Sequence, residues 1–176
     1  NSQPHIFMSK CMATLLSSTV LFQINNPLIQ ISFFELVVRH YSFLDSTNKD
    51  EVTLLNVFCS EFGMFNNRER VRLRTWYLFT RFIKSTKPKM VTGVLSQLLS
   101  KITPLLMVKT VPPVSNSPDI DTTFDNQLYL FEGVGTLIGA NADSNYEILD
   151  NILTPLFSDL ETCISSQVKS PEIVLQ

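Results

Sequence analysis

The sequence is poor in the residues that build catalytic and metal sites. Its 176 residues include only two histidines, and its three cysteines are widely spaced, without a C-x-x-C pair. His5 and His40 are predicted on different helices and lack metal-ligand spacing, so no zinc site is indicated. The odd number of cysteines argues against a disulfide framework and favours a reducing compartment. We therefore expect no metal, no cofactor, no small-molecule substrate and no enzymatic activity.

Glycine and long apolar runs are also scarce. Glycine occurs five times, and no apolar run approaches the roughly 18 residues that a membrane span needs. The segment GVGTLIG at 133–139 superficially resembles a dinucleotide-binding fingerprint, but it follows no predicted strand and has the wrong final spacing. Gly133 and Gly135 instead predict a close contact between helices. We expect a soluble intracellular protein without membrane insertion.

Charge is scarce in total but unevenly distributed. Charged residues make up 17% of the chain and give a net charge of −2. Residues 1–67 contribute −2, residues 68–109 contribute +9 and residues 110–176 contribute −9. Eight of the positive residues lie between 68 and 89. Near-neutrality therefore conceals a strongly basic segment that is followed by an acidic one.

Helical periodicity, in contrast, is abundant. Apolar residues recur at helical spacing, and proline lies mostly at the joints between apolar segments, which indicates an all-α fold. Pro27 and Pro88 are predicted at helix starts, whereas Pro104 and Pro155 should kink or end helices. Helices are predicted over seven ranges: 5–22, 27–44, 51–64, 68–86, 89–108, 124–141 and 145–168.

Three of these helices resemble one another. The segment 29–41 aligns with 71–83 at an offset of 42 residues, and a third copy at 127–138 follows after a further 55. The second step is 13 residues longer than the first, which matches the segment 110–122, rich in Pro, Ser, Asn and Asp. That segment is predicted to be a loop insertion. A period near 40 residues made of two helices is typical of HEAT and armadillo repeats.

The second copy carries a HEAT-like signature, because Val71, Arg72 and Thr75 resemble the V-R-x-x-A pattern of inner HEAT helices. We therefore predict an all-α, HEAT-repeat superhelical solenoid of antiparallel helix pairs, with about three to four repeats. Inner helices of successive repeats should line a concave surface. One continuous segment, 1–176, is predicted, with repeats at 5–44, 51–86 and 89–141, the last containing the insertion 110–122, and a final helix at 145–168.

On a helical projection the basic segment divides into two faces. At about 100° per residue, its apolar residues fall on one side, which should be buried. Arg68 and Arg72 fall among them and are predicted to hold neighbouring repeats together. The opposite side forms one narrow stripe, which we call the basic stripe: Arg70, Arg74, Tyr77, Arg81 and Lys84.

The basic stripe has two interpretations. A row of arginine and lysine with an aromatic residue at its centre suits a phosphate backbone, with charge supplying affinity and the ring a stacking surface. A charged stripe is also the ordinary solvated face of an amphipathic helix. This stripe lacks the interspersed acids that solvated faces normally carry, and it should point into the concave side. Its five residues are therefore candidate RNA-binding residues, with both interpretations open.

Four blocks of sequence occur in a characteristic order: PLIQISFFELVVRHYSFL at 27–44, VRLRTWYLFTRFIKS at 71–85, DNQLYLFEGVGTLI at 125–138 and ILTPLFSDLE at 152–161. In order and spacing they resemble the exportin-T family, the tRNA exporters of the importin-β (karyopherin) superfamily. The resemblance extends over nearly the whole chain. It would place the chain in the middle of a full-length exportin.

This resemblance implies a non-enzymatic nuclear export receptor. Members of the family bind tRNA together with Ran-GTP in the nucleus and contact nucleoporins while they cross the pore, so the chain is expected to shuttle between nucleus and cytoplasm. Recognition of tRNA by its shape and backbone agrees with a phosphate-binding stripe. The alternative is a HEAT-repeat scaffold or a protein-cargo karyopherin whose basic stripe binds an acidic protein segment.

Overall fold

The computed structural model describes residues 3–44, 49–107, 122–141, 149–154, 157–158 and 161, and contains no strand within these ranges. The α-helices are α1 Gln3–Leu16, α2 Thr19–Gln23, α3 Pro27–Arg39, α4 Lys49–Phe58, α5 Glu69–Thr86, α6 Thr92–Ile102 and α7 Thr122–Ala140. Short 3-10 helices, Tyr41–Phe43 and Thr103–Leu105, follow α3 and α6. Residues 149–154 are helical as well.

Helix α3 begins where the sequence predicts. Asn26 Oδ1 accepts hydrogen bonds from the backbone N–H groups of Leu28 at 2.9 Å and Ile29 at 3.3 Å, and Pro27 occupies the first helical position. Asparagine at the N-cap accepts hydrogen bonds from free N–H groups of the helix start, and proline at the first position has no N–H group to leave unpaired. Pro104 also acts as predicted, because α6 ends at Ile102 and passes into the 3-10 helix that contains this proline.

Several of the predicted helix boundaries are wrong. The predicted helix 5–22 is divided, because Ser18 Oγ accepts a hydrogen bond from Leu21 N at 3.2 Å and caps the new helix α2. Pro88 does not begin a helix, since α6 starts four residues later at Thr92. Its carbonyl instead accepts a hydrogen bond from Asn141 Nδ2 at 3.0 Å. This bond ties the connection after α5 to the end of α7.

The predicted helix 51–64 ends early, at Phe58, and a tight turn follows. Met64 N donates to Phe58 O at 2.8 Å, which folds residues 59–63 back over the helix end. Gly63 permits this close approach, because a Cβ at that position would lie 2.6 Å from Phe58 O and 2.9 Å from the Phe34 ring. A side chain would push this turn away from α3.

The helices form two layers, with α5 at the centre of one. Helix α5 packs between α3 and α7. Helix α4 lies in the other layer, where the Phe58 ring stacks on Phe34 of α3 at 4.5 Å between centroids and meets Phe79 of α5 at 5.7 Å. On α6, Lys101 Nζ donates to Asn56 Oδ1 of α4 at 3.0 Å, and α1 also contacts α4. This arrangement is an all-α HEAT-like solenoid.

The contact between α5 and α7 is unusually close. A Cβ on Gly133 would lie 2.6 Å from Thr80 Oγ1 and 3.2 Å from the Phe79 ring. Thr80 Oγ1 donates a hydrogen bond to the Tyr129 carbonyl one turn earlier on α7. The predicted close helix contact is therefore confirmed for Gly133. It is wrong for Gly135, where a Cβ would meet nothing within 4 Å, because that residue faces away from α5.

Several predictions fall partly outside the described residues. The predicted insertion 110–122 is described only at Thr122, the first residue of α7. Within the predicted final helix 145–168, the described residues 149–154, 157–158 and 161 are helical. The repeat boundaries proposed from sequence stay predictions.

Candidate nucleic-acid interface

The two faces of α5 are those that the helical projection predicts. The apolar face is buried, and its members are Val71, Thr75, Leu78, Phe79, Phe82 and Ile83. The basic stripe lies on the other side, with Tyr77 half-buried and four exposed cations: Arg70, Arg74, Arg81 and Lys84. The buried face anchors α5 in the core, and the structure thereby places all five predicted residues on one accessible side of the helix.

Tyr77 occupies the centre of the basic stripe and contacts residues on both sides. Its ring centroid lies 4.8 Å from the guanidinium carbon of Arg74 and 5.9 Å from that of Arg81. Each such cation–π contact contributes about 0.5–1 kcal/mol at an exposed site. The ring also meets Tyr129 of α7 edge-on, at 5.3 Å between centroids. Tyr77 therefore orients the two arginines through its own packing.

Carboxylates of the neighbouring helices pair with two of the four cations. Arg74 Nε donates to Glu35 Oε1 of α3 at 2.9 Å, and Arg74 Nη2 donates to the same oxygen. Lys84 Nζ lies 2.5 Å from Glu132 Oε1 of α7. The side chains are 42% and 32% exposed in the first pair and 48% and 50% in the second. Pairs this exposed contribute about 0–1 kcal/mol to stability, so they can be exchanged for other anions.

The other two cations, Arg70 and Arg81, have no carboxylate partner among the described residues. Their positions differ by 11 residues. At about 1.5 Å of rise per residue, this separation corresponds to roughly 16 Å along α5. Arginine retains its charge at every physiological pH and presents a planar set of donors that matches phosphate oxygens. These two side chains are therefore the cations of the stripe that are most available to an anionic ligand.

Sequence reasoning missed the two acids that flank the stripe. It assessed α5 by itself, whereas Glu35 and Glu132 come from α3 and α7 and reach the stripe only through packing. A signal for them did exist in the repeat alignment, because Glu35, Tyr77 and Glu132 occupy equivalent positions at the offsets of 42 and 97 residues. The central repeat thus has a tyrosine where both neighbours have a glutamate.

The remaining arginines of the basic segment make structural contacts. Arg68 Nη1 donates to Asn25 Oδ1 in the connection before α3, as expected of an arginine that joins neighbouring repeats. Arg72 Nη1 donates to the carbonyls of Asn66 at 3.0 Å and Asn67 at 3.2 Å. The guanidinium of Arg72 therefore turns back onto the segment before its own helix, and its predicted role between repeats stays a prediction.

The histidines and the buried cysteine form no catalytic set. His5 and His40 lie beside the Phe43 ring, at centroid distances of 5.1 and 6.2 Å. Burial raises the pKa of the Cys59 thiol from its usual 9.0 to about 12, with Lys101 opposing the shift. A thiol with this pKa is a poor nucleophile at neutral pH. Among the described residues, no group of three His, Cys, Asp or Glu residues could hold a metal ion.

None of the helices in the described ranges combines the length and the apolar character that crossing a bilayer requires.

Comparison with known proteins identifies the family. The Exportin-T family model matches residues 2–176. The chain is 66% identical to Exportin-T of Vanderwaltozyma polyspora over 170 residues, covering 96% of this chain and 16% of that protein. It is 63% identical to Exportin-T of Kluyveromyces lactis over 175 residues, covering 99% and 16%, respectively.

A more distant relative agrees. Exportin-T of Saccharomyces cerevisiae is 41% identical over 205 aligned positions, covering 99% of this chain and 18% of that protein. The chain spans about a sixth of the length of these curated relatives. With a family model matched along almost its entire length, the chain belongs to the exportin-T family.

Proposed function

We propose that this chain is a segment of a nuclear export receptor that carries tRNA from the nucleus to the cytoplasm together with Ran-GTP and contacts nucleoporins while it crosses the pore. Its role is non-catalytic, and its exposed α5 face contacts tRNA phosphates. One observation carries this proposal: Arg70, Arg74, Arg81 and Lys84 share one accessible side of a helix whose other side is anchored in the core.

Phosphate contacts suit this surface physically. Neutralising phosphates with arginine and lysine releases counterions, which supplies affinity without any need to read base sequence. Arg70 and Arg81 are available at once, because no described carboxylate pairs with them. Arg74 and Lys84 become available when a phosphate displaces an exposed carboxylate, which costs little.

A second candidate is a surface for an acidic protein segment. It is favoured by the observation that Arg74 and Lys84 already bind the carboxylates of Glu35 and Glu132. Phosphate and carboxylate offer similar acceptors to arginine, so geometry alone does not separate the two ligands. The two candidates predict different results when the charge of the stripe is reversed. The first predicts a loss of tRNA binding, and the second predicts a loss of binding to the acidic protein segment.

The test uses a full-length exportin-T that carries this segment, with Ran-GTP present. The double substitution Arg74→Glu and Arg81→Glu should weaken tRNA binding by more than about 1 kcal/mol, because it replaces two positive charges of the basic stripe with negative charges that repel phosphates. Fluorescence anisotropy of labelled tRNA, measured across a salt series, gives both the affinity and its salt slope. An unchanged tRNA affinity would contradict the proposal.

A charge-matched control uses two lysines that lie outside the basic stripe. Lys10→Glu with Lys101→Glu makes the same change in net charge at two exposed positions on α1 and α6. This control should leave tRNA affinity within about twofold at physiological salt, where charges beyond about 8 Å are largely screened. Thermal unfolding of each variant verifies that its fold is intact. If the Arg74→Glu and Arg81→Glu variant lost an acidic protein ligand but still bound tRNA, the second candidate would be favoured instead.

A further inference from the structure

We propose that Glu35 and Glu132 are specificity-determining residues, which compete with RNA phosphates for Arg74 and Lys84 and thereby limit binding by unstructured polyanions. This inference rests on the proposed function of the basic stripe. It concerns a different property, because it predicts which RNAs the stripe rejects.

The cations of the stripe form two couples, one on each side of Tyr77. Arg70 and Arg74 are four residues apart, and Arg81 and Lys84 are three apart. In each couple one cation is paired with a carboxylate and the other has no carboxylate partner within the described part of the chain. Each couple therefore presents one net positive charge to a ligand, although it contains two cations.

The two acids reach the stripe from opposite sides. Glu35 belongs to α3 and Glu132 to α7, the two helices between which α5 packs. They stand at equivalent positions of their repeats, at an offset of 97 residues. In both couples, therefore, a glutamate of a neighbouring helix pairs with one of the two cations. This repeated arrangement is difficult to explain as the solvated face of a single amphipathic helix.

Competition of this kind discriminates between ligands according to how they bind. Binding of an unstructured polyanion is almost wholly electrostatic, so it depends on the number of cations that can be neutralised. Removing two cations from that number weakens such binding most. A folded RNA with phosphates fixed at the spacing of Arg70 and Arg81, roughly 16 Å along the helix, needs only the two available arginines. Rejecting the wrong ligand is a general route to specificity.

The variant that tests this inference is Glu35→Gln with Glu132→Gln, made in a full-length exportin-T with Ran-GTP. Glutamine keeps the size of each side chain and removes its charge. We expect affinity for a single-stranded poly(U) RNA of tRNA length to rise about 3–10-fold. Its salt slope should steepen by roughly 0.7 for each phosphate contact that is gained. Affinity for folded tRNA should change by less than about twofold.

Three controls define the result. Glu51→Gln with Glu61→Gln removes two charges from α4 and the turn after it, and it should leave both affinities unchanged. In an Arg74→Gln background, Glu35→Gln should give no further gain, because the cation that it masks is absent. The Arg74→Glu and Arg81→Glu variant tests the proposed function separately.

Each other outcome overturns the inference. An equal gain for poly(U) and tRNA would mean that the acids lower all anion binding without selecting among RNAs. A loss of tRNA affinity would mean that the acids position the cations for binding. If charge reversal of the stripe weakens tRNA binding while the Glu→Gln variant behaves like its control, the proposed function stands and this inference alone fails.

Discussion

Helix α5 meets α3 beside an aromatic cluster and meets α7 across a glycine. On the α3 side, the fully buried Phe34 stacks on Phe58, which also contacts α5 through Phe79. On the α7 side, the space that a side chain would occupy is taken by Thr80 and Phe79, which approach Gly133 directly. We call these two interfaces seams. The α3–α5 seam is filled by large side chains, whereas the α5–α7 seam requires a position without a side chain.

This difference shows how the packing of α3 and α7 against α5 positions the basic stripe. The aromatic cluster sets the distance from α3, and with it the reach of Glu35 to Arg74. The glycine contact and the hydrogen bond from Thr80 to the Tyr129 carbonyl set the distance and register of α7, and with them the reach of Glu132 to Lys84. The five predictions that follow test the two seams separately.

The largest effect is expected from Phe34→Ala in the aromatic cluster. The Phe34 side chain is completely buried, and its loss leaves a cavity against Phe58. Such a substitution lowers the free energy of unfolding by about 3–5 kcal/mol. Urea denaturation followed by circular dichroism measures the change. Leu28→Ala, at a position of α3 that is 66% exposed, should change stability by no more than about 0.5 kcal/mol. Similar losses of stability for Phe34→Ala and Leu28→Ala would contradict the stabilising role of the aromatic cluster.

The next effect concerns Cys59, which follows Phe58 at the end of α4. With its pKa raised from 9.0 to about 12, its thiolate fraction at pH 8 should be about 1000-fold below that of an unperturbed thiol, a difference of about 4 kcal/mol. Iodoacetamide labelling, mapped by mass spectrometry, should therefore modify the half-buried Cys11 long before Cys59. Urea should abolish this difference. Rapid labelling of Cys59 in the folded chain would show that the aromatic side opens readily.

The same thiol predicts a decline of stability at alkaline pH. Between about pH 9 and pH 12 the unfolded chain loses the Cys59 proton, whereas the folded chain keeps it. Because the folded state then binds more protons, stability falls as the pH rises through this window. Cys59→Ala should reduce the alkaline decline, which urea titrations at pH 8 and pH 10 can compare with that of the unmodified chain.

An intermediate effect is expected at the glycine seam. Gly133→Ala introduces a methyl group 2.6 Å from Thr80 Oγ1, and the overpacking should lower stability by about 1–3 kcal/mol. Gly135→Ala on the same helix provides the matched control. Its Cβ meets nothing within 4 Å, so the higher helix propensity of alanine should stabilise the chain by up to about 1 kcal/mol. Equal effects of the two substitutions would show that α7 shifts freely against α5.

These two glycines also show what the sequence could predict. Helical periodicity is a local property, so it correctly separated the buried side of α5 from the basic stripe. Which glycine meets a neighbouring helix depends on the position of that helix, and Gly133 and Gly135 could not be distinguished. The partners of Arg74 and Lys84 were missed for the same reason. The early end of α1 depends on competition between Ser18 and the helix for backbone N–H groups, which periodicity does not register.

The smallest effect is expected from the ion pairs that bridge the two seams. Glu35→Gln and Glu132→Gln should each lower stability by less than about 1 kcal/mol, and the loss should shrink in 1 M salt, because the paired side chains are partly exposed to solvent. A double-mutant cycle that combines Glu132→Gln with Lys84→Gln isolates the energy of that pair from other effects of the substitutions.

A small pair energy is what allows both acids to yield to phosphates, while the buried seams keep the helices in place. If Glu132→Gln destabilised the chain as much as Gly133→Ala, the ion pair would be an integral part of the α5–α7 seam. Lys84 would then be held too firmly to exchange its partner. The loss of stability caused by Glu35→Gln would then decide whether Arg74, at least, can exchange its carboxylate partner for a phosphate.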